Sequence, residues 1–337
     1  MVRLNRWIQQ TWYHCHAGYC VLAFLLLPLS LLFYSVTALR RLAYQQAWLK
    51  SFRVAAPLIV VGNISVGGTG KTPLVVYLVA LLRKHGFKPG IISRGYGGAR
   101  HAQPQAVTAQ SNPAQVGDEA VLLARRCQCP VVVSPDRVAA AQQLLQDSDC
   151  NVVISDDGLQ HYRLCRDIEI VVVDGERGLG NGLPLPAGPL RETASRLKQV
   201  PLLVSTGQSR LSPLTQRLLP GAAINLKNHQ KSKALRDFIG EDIIAVAAIG
   251  NPERFFTSLE KAGLTLRRHA FADHYPYNVG DFQAFTDQTI LMTEKDAVKC
   301  ASFACSNMWY VPIESDINPE FDARLIELLN NAEKHKH

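Results

Sequence analysis

Apolar residues are most concentrated near the start of the chain. Between His16 and Arg40 lie 23 residues without a charged side chain, 17–39. As a helix this segment would be about 34 Å long, enough to cross a hydrocarbon core of roughly 30 Å. Cations flank it on both sides, Arg3 and Arg6 before it and Arg40, Arg41, Lys50 and Arg53 after it. The pattern predicts a membrane-associated helical segment within residues 1–54.

Four interpretations of this segment compete. A cleavable signal peptide would need a small-x-small cleavage site, and none follows Phe33. A spanning helix fits the length, although Pro28 at its centre would kink it, and a monotopic hairpin or in-plane helix suits Pro28 better. A buried core helix is the fourth alternative. We expect attachment to a membrane and leave crossing open. If the segment crosses, the cations after it favour a cytoplasmic location for the rest of the chain.

Short apolar runs alternate with helical spacing along the rest of the chain. The run at 58–62 ends at a glycine and predicts a buried strand, and leucines at helical spacing predict a helix over 73–85. Further strands are predicted at 89–93, 131–133, 152–154, 168–173, 202–204, 243–249, 289–292 and 309–311, and helices at 118–127, 137–146 and 252–262. This alternation predicts an α/β fold with right-handed crossovers and a mostly parallel sheet.

A change in composition suggests where this α/β region divides. Segment 206–240 is polar and basic, and we expect it to be a hinge between two domains. Residues 55–205 would form a nucleotide-binding domain and residues 241–330 a smaller C-terminal α/β domain. Residues 331–337 read as a solvated tail.

The strongest chemical signal is a glycine-rich run between the first predicted strand and helix, Gly-Asn-Ile-Ser-Val-Gly-Gly-Thr-Gly-Lys-Thr at 62–72. In a P-loop the glycines let backbone N–H groups surround phosphates, the lysine reaches the β- and γ-phosphates, and the hydroxyl binds Mg²⁺. The following helix presents its positive N-terminus to the same anion. Ser65 replaces the first glycine of the usual pattern. The expected nucleotide-binding residues are Gly67, Gly68, Thr69, Gly70, Lys71 and Thr72.

A pair of acids follows the predicted strand at 152–154. Asp156 and Asp157 lie at its C-terminal edge, where ligands bind in open parallel sheets. One of the two can hold Mg²⁺ or its water together with Thr72 and phosphate oxygens. A plain Asp-Asp-Gly turn is the alternative.

Composition and charge narrow the function classes. Apolar residues make up 47% and charged residues 19% of 337 residues, which excludes a disordered, collagen-like or coiled-coil chain. The net charge of +8 suggests an anionic partner. The basic residues form no stripe with interleaved aromatics, so we expect no nucleic-acid partner. The eight cysteines lack zinc-site spacing and are expected to be reduced thiols in a cytoplasmic domain.

Phosphoryl transfer to an acceptor also needs an oriented hydroxyl and compensation of phosphate charge. Several side chains at predicted strand ends or helix starts suit these tasks, with an ordinary surface ion pair as the alternative for each. These candidates are Arg94 after the strand at 89–93, Asp118 at a helix start, and the pairs Asp136-Arg137 and Arg191-Glu192. His274, one of ten histidines, is a further candidate that composition alone does not single out.

Taken together and in their order along the chain, the motifs resemble those of the tetraacyldisaccharide 4′-kinase family, the lipid A kinases of Gram-negative bacteria. The resemblance covers most of the chain, with Thr193 standing where proline is expected. Besides the P-loop, it rests on Ser93-Arg94-Gly95-Tyr96-Gly97, Val116-Gly117-Asp118-Glu119, Asp136-Arg137, Asp156-Asp157-Gly158-Leu159-Gln160-His161, Gly180-Asn181-Gly182, Pro186-Ala187-Gly188-Pro189-Leu190-Arg191-Glu192, Ala248-Ile249-Gly250-Asn251-Pro252, Asp273-His274-Tyr275 and Thr293-Glu294-Lys295-Asp296.

The resemblance implies phosphoryl transfer from ATP, with Mg²⁺, to the 4′-hydroxyl of a tetraacylated glucosamine disaccharide 1-phosphate, making lipid IVA. It assigns Asp118 as the base for the hydroxyl, assisted by His274. Lys71 and Thr72 would bind phosphate and metal. The groups around the metal and γ-phosphate would be Asp156, Asp157 and Glu192, with Arg137 and Arg191 compensating charge and Arg94 contacting phosphate.

An acylated substrate stays in the bilayer, so the enzyme would work at a membrane surface. The resemblance implies the inner (plasma) membrane, with the catalytic domains on its cytoplasmic face. A membrane-associated regulatory P-loop ATPase is the alternative function. That class carries an extra lysine just before the two glycines, where this chain has Val66, and it needs no acceptor site.

Overall fold

Strands and helices alternate along most of the chain. The computed structural model describes residues 12–13, 17–99 and 101–334, with the backbone alone for 17–20. The strands are β1 (Leu58–Gly62), β2 (Pro89–Ser93), β3 (Gln105–Val107), β4 (Val131–Val133), β5 (Val152–Asp156), β6 (Ile168–Asp174), β7 (Leu202–Thr206), β8 (Leu214–Pro220), β9 (Ala223–Asn225), β10 (Ser232–Lys233), β11 (Ile243–Ala247), β12 (Leu266–Ala270), β13 (Thr289–Thr293), β14 (Met308–Val311) and β15 (Ile313–Ile317). The α-helices are α1 (Ala17–Gln45), α2 (Lys71–Lys84), α3 (Pro113–Val116), α4 (Asp118–Cys127), α5 (Arg137–Asp147), α6 (Pro252–Lys261), α7 (Glu294–Cys300) and α8 (Pro319–Lys334). Short 3-10 helices cover Ala194–Gln199, Leu235–Phe238, Val279–Phe285 and Ala301–Phe303.

These strands form two sheets. Within the described residues the first has nine strands in the order β15-β8-β7-β6-β1-β5-β2-β4-β3, and the second has six in the order β10-β9-β14-β13-β11-β12. In the first sheet only the edge pairs β8–β15 and β3–β4 are antiparallel among the strands described. In the second sheet β12, β11, β13 and β14 run parallel. The predicted α/β fold with a mostly parallel sheet is confirmed.

The central strands of the first sheet are buried on both faces. Ile59 and Val61 of β1 belong to the core that α2 and α4 cover. Leu58 and Val60 belong to the opposite core, which α5 covers. This explains why β1 reads as a continuous apolar run rather than as an alternating pattern.

The predicted boundaries between domains differ from the observed strand pairing. Segment 206–240, expected to be a hinge, contains β8 of the first sheet and β9 and β10 of the second. After β14 the chain returns to the first sheet through β15, and Phe321 and Leu325 of α8 pack in the first core. The two passages between the sheets lie side by side, where the Gly221 amide donates to the Pro312 carbonyl over 2.9 Å. These pairings join distant segments, so local composition does not reveal them.

The two ends of the chain carry further predictions. Residues 331–334 form the last turn of helix α8 and are exposed or half-buried. The remaining tail residues, 335–337, and the expected cations Arg3 and Arg6 lie outside the described residues.

Helix α1 is continuous over Ala17–Gln45 and includes Pro28, so the hairpin alternative is wrong. By length and composition, its segment 21–45 could cross a membrane, since an 18-residue window within it has a mean hydropathy of 2.2. Large apolar side chains point outward, such as Phe24, which is 72% exposed, so α1 is not a core helix. Ser30 is buried instead, and its hydroxyl accepts a hydrogen bond from the Ala187 amide over 2.9 Å. One face of α1 therefore lies against the protein, and another is apolar and uncovered.

Candidate active site

The glycine-rich run forms a loop between β1 and α2. Gly70 precedes the helix with φ of 88°. A Cβ atom there would lie 2.8 Å from the Thr206 hydroxyl oxygen, so the position requires glycine both for its conformation and for space. The first turn of α2 contains no acidic residue that would compete with a bound anion for its N-terminal N–H groups.

Polar side chains from the far strands of the first sheet hold this loop. The Thr206 hydroxyl donates to the Thr69 carbonyl over 2.6 Å. Gln216 Nε2 lies 3.2 Å from the Gly70 carbonyl and 2.6 Å from the Thr206 hydroxyl, and donates to both oxygens. Sequence reasoning missed Thr206 and Gln216 because they lie in the segment predicted to be a hinge.

Asp157 lies next to the loop and contacts two cations. Its carboxylate is 3.3 Å from Lys71 Nζ and 3.1 Å from Arg191 Nη1. Burial raises the pKa of Asp157, but Lys71 and Arg191 outweigh it and lower the pKa to about 2. The structure therefore brings together the predicted phosphate lysine, one of the two acids and one arginine.

Asp156 fits a place in a Mg²⁺ site. It is 2% exposed, and its Oδ1 is buried without a hydrogen-bond partner. Burial raises its pKa, and the negative charges of Glu119 and Asp157 add to the increase. A hard cation would satisfy this oxygen, and Mg²⁺ commonly takes one or two carboxylates together with phosphate and water oxygens. Within residues 12–13, 17–99 and 101–334, no group of three or more His, Cys, Asp or Glu side chains could hold a metal, so phosphate oxygens would have to complete the site.

Arg137 lies behind the two acids, at the start of α5. It is buried and donates to the Ser134 carbonyl over 2.8 Å and to the Asp156 carbonyl over 3.3 Å. Burial lowers its pKa to about 10, against the opposing effect of the acids. The expected pairing with Asp136 is not the one observed, since Asp136 caps α5 and forms its ion pair with Arg163 at 2.7 Å.

Arg191 and Glu192 point to different partners. Arg191 reaches Asp157, whereas Glu192 accepts hydrogen bonds from Gln160 Nε2 at 2.9 Å and the Tyr162 hydroxyl at 2.6 Å. Gln160 also donates to the Asn63 carbonyl of the phosphate loop over 3.1 Å. Glu192 thus braces the segment that carries Arg191 against the loop. Arg94 is exposed in the loop after β2.

A carboxylate–imidazole pair joins the two sheets. Asp118 is the first residue of α4 and is 5% exposed, and its Oδ2 lies 3.0 Å from Nδ1 of His274 in the loop after β12. Burial raises the pKa of Asp118, but the hydrogen bond from His274 and the charge of Lys295 outweigh it, so the net pKa is lowered. The same hydrogen bond raises the pKa of His274, although burial and Lys295 oppose it.

Lys295 is a residue of this site to which sequence reasoning assigned no role. Its Nζ lies 3.0 Å from Glu119 Oε1 and 3.2 Å from His274 Nε2. The available signal was the motif Thr293-Glu294-Lys295-Asp296, which does not by itself indicate a partner.

The second sheet also approaches the phosphate loop directly. A Cβ atom built on Gly250, after β11, would lie 3.5 Å from the Gly68 nitrogen and 3.6 Å from Asp273 Oδ2. Asp273 precedes His274, so the carboxylate–imidazole pair and the phosphate loop belong to one site.

A family model described as tetraacyldisaccharide-1-P 4′-kinase matches residues 22–330. The chain belongs to this family. The tetraacyldisaccharide 4′-kinase of Methylobacillus flagellatus is 48% identical over 327 residues, 96% of each chain. That of Nitrosococcus oceani is 50% identical over 312 residues, 93% of this chain and 92% of the relative. The crystal structure of "apo" form LpxK from Aquifex aeolicus in complex with ATP has a TM-score of 0.77 and 27% identity, covering 92% of this chain and 99% of its own.

Within the tetraacyldisaccharide 4′-kinase family, this site combines two chemical functions. The loop with Lys71 and Arg191 suits the phosphates of a nucleotide. The buried carboxylate of Asp118, oriented by His274, suits removal of a proton from an acceptor hydroxyl.

Proposed function

We propose that this chain transfers the γ-phosphoryl group of ATP to the 4′-hydroxyl of a tetraacylated disaccharide 1-phosphate, producing lipid IVA. The observation that carries the proposal is the Asp118–His274 pair, at 3.0 Å, beside a P-loop. In a kinase a carboxylate accepts the proton of the acceptor hydroxyl, and this pair supplies such a carboxylate beside the phosphate loop.

The reaction uses the residues of the two sheets together. The loop N–H groups and Lys71 hold the nucleotide phosphates, and Lys71 exchanges its contact with Asp157 for phosphate oxygens. Asp118 accepts the proton of the 4′-hydroxyl while the 4′-oxygen forms a bond to the γ-phosphorus. The bond between the γ-phosphorus and the oxygen of the leaving ADP breaks in the same step. Bound Mg²⁺, held by Thr72 and by Asp156 or Asp157, would neutralise charge on the β- and γ-phosphate oxygens.

The remaining candidate residues surround this reaction. Arg191 compensates charge on the transferred phosphoryl group, and buried Arg137 contributes its positive charge from behind the two acids. Glu192 orients Arg191, and exposed Arg94 is placed to contact a phosphate of substrate or nucleotide.

Membrane attachment follows from the substrate class and from α1. A tetraacylated lipid stays in the bilayer, and α1 offers an uncovered apolar face followed by the cations Arg40, Arg41, Lys50 and Arg53. We infer that α1 holds the enzyme at the cytoplasmic face of the inner membrane, with the membrane surface as its partner. We also infer that the two sheets mark the two domains, with passages at Gly221 and Pro312.

The test is an assay of the purified full chain in detergent with γ-labelled ATP, Mg²⁺ and the disaccharide 1-phosphate. We expect label in the lipid product for the natural chain and none for Lys71→Ala. Label released only as inorganic phosphate, at a rate independent of the lipid, would contradict the proposal and favour the regulatory ATPase.

A further inference from the structure

The motif Thr293-Glu294-Lys295-Asp296 has no part in the proposed reaction so far, although its geometry is well defined. Thr293 caps α7, with its hydroxyl oxygen accepting from the Asp296 amide over 3.2 Å. Asp296 is completely buried and accepts hydrogen bonds from the Thr293 hydroxyl at 2.6 Å and the Ala248 amide at 3.0 Å. These two residues fix the start of α7.

The two residues between them cross to the first sheet. Glu294 lies 2.9 Å from Arg126, and Lys295 lies 3.0 Å from Glu119. Arg126 and Glu119 both belong to α4, the helix that begins with Asp118. Two ion pairs of opposite polarity therefore dock α7 on α4, and exchanging the two ends of the contact would place like charges together.

Lys295 also contacts His274, which the other residues of this motif do not touch. Its Nζ lies 3.2 Å from His274 Nε2. A lysine ammonium has only donors, so Nε2 must be the acceptor and carry no proton. The single proton of the neutral ring is then on Nδ1, which faces Asp118 Oδ2 at 3.0 Å. The network thus assigns the tautomer of His274.

Other charged groups face this pair from every side. Asp118 and Glu119 come from α4, and Asp273 comes from the loop that carries His274, at 3.8 Å from its Nε2. Lys299 acts on Asp118 from α7, one turn beyond Lys295. The uncharged Tyr96 ring also contacts the imidazole in a T-shaped arrangement, with centroids 5.0 Å apart. Among these groups in the described structure, Lys295 is the cation in hydrogen-bond contact with the imidazole.

We propose that Lys295 is a positioning residue of the kinase reaction, which holds His274 as a neutral Nδ1–H donor toward Asp118. Because Lys295 is on α7 and Asp118 on α4, the base is oriented only when the two sheets are docked. The inference rests on the proposed function, in which Asp118 is the base.

The first test is nitrogen NMR of the full chain in detergent with ¹⁵N-labelled histidine, the His274 signals being assigned with His274→Gln. In the natural chain we expect an unprotonated Nε2 and a protonated Nδ1. In Lys295→Met we expect this single tautomer to be lost and the ring to take up its second proton at a higher pH, because a nearby cation disfavours the imidazolium.

The second test is the pH profile of kcat/KM. Removing the cation raises the pKa of both His274 and Asp118, so the acidic limb of Lys295→Met should move to higher pH by about one unit. We expect kcat to fall at least tenfold with little change in the KM for ATP. Lys295→Arg keeps the charge and should keep the limb near its natural position. Arg126→Met removes the other ion pair between α7 and α4 without touching His274, and should leave the limb in place.

Three results would overturn the inference. The first is that Lys295→Met keeps both the His274 tautomer and the acidic limb of the natural chain. The second is that Arg126→Met shifts the acidic limb as far as Lys295→Met does. The third is that folded Lys295→Arg does not return the acidic limb to its position in the natural chain. The NMR result does not depend on turnover, so it separates this inference from the proposed function. Normal turnover of Asp118→Asn would instead show that Asp118 is not the base. That result would contradict the proposed function, whichever tautomer His274 adopts.

Discussion

Asp118 and Asp157 are both carboxylates that their hydrogen-bond partners keep ionised, but the partners differ in kind. Asp157 contacts Lys71 and Arg191, which phosphate oxygens can recruit when nucleotide binds. Asp118 contacts a histidine, whose charge changes with pH in the range where enzymes work. Activity should therefore depend on pH through His274, whereas the contacts of Asp157 with Lys71 and Arg191 should depend on it little, since the Asp157 pKa of about 2 is far below that range.

We expect kcat/KM to fall as pH falls through the pKa of His274, which its hydrogen bond to Asp118 raises above the ordinary 6.5. A protonated imidazole holds the carboxylate more tightly and makes it a weaker base. Stability should change in the opposite sense, because a raised folded pKa stabilises the protein below the unfolded pKa and this gain is lost as pH rises through the folded pKa.

Kinase assays over a pH series test the first expectation. Thermal unfolding of the natural chain and His274→Gln tests the second, and the difference in stability should be larger at about pH 6 than at about pH 9. An acidic limb below 6.5 would contradict the account of His274.

At the scale of elements, the phosphate loop depends on strands that lie far away in the chain. Thr206 and Gln216 hold it from β7 and β8, and Ser315 of β15 donates to Gln216 Oε1 over 2.6 Å. The loop is thus shaped by the sheet as a whole rather than by its glycines alone.

Gly70→Ala should impair ATP binding. The substitution places a methyl group against the Thr206 hydroxyl and forces an L-residue to a φ of 88°. Gly86, just after α2, is a matched control, because its φ is 83° and nothing lies within 4 Å of its Cβ position. Both variants should lose roughly 1–2 kcal/mol of stability from the left-handed conformation. Only Gly70→Ala should weaken nucleotide binding, measured by calorimetry, and equal affinities for the two variants would contradict the loop geometry.

Helix α1 should determine association with lipid. Leu25 and Leu31 are exposed on this helix, and Leu219 of β8 is exposed away from it. A lysine at the centre of a membrane helix costs about 2.5–3.5 kcal/mol. Flotation with phospholipid vesicles should therefore be strongly reduced for the double variant Leu25→Lys with Leu31→Lys, and unchanged for Leu219→Lys. Full flotation of the double variant would show that α1 is not the attachment element.

The sequence predicts the elements whose signals are local. The strand at 58–62, the P-loop, the helix at 118–127 and the acids after β5 follow from apolar runs, glycines and helix periodicity. The roles of β8 and β15 do not follow from local signals. β8 lies in the segment whose polar and basic composition predicted a hinge, and β15 pairs with it from a distant part of the chain. For the same reason the sequence alone does not reveal that Lys295 meets His274.

At the scale of the whole molecule, the two sheets share one site. Asp118–His274, Glu119–Lys295 and Arg126–Glu294 join α4 of the first sheet to the second. Arg254 of α6 adds a contact with Asp174 at the end of β6, at 3.3 Å. The nucleotide loop is therefore part of the first sheet, whereas the base for the acceptor is complete only when both sheets contribute.

The most direct test of the central claim is a single-turnover experiment with the full chain, γ-labelled ATP and the disaccharide 1-phosphate, comparing the natural chain with Asp118→Asn. We predict that the natural chain places the label on the 4′-oxygen. Asp118→Asn should bind ATP normally but transfer the label about 10²–10⁴ times more slowly. Transfer by Asp118→Asn at the natural rate would contradict the account.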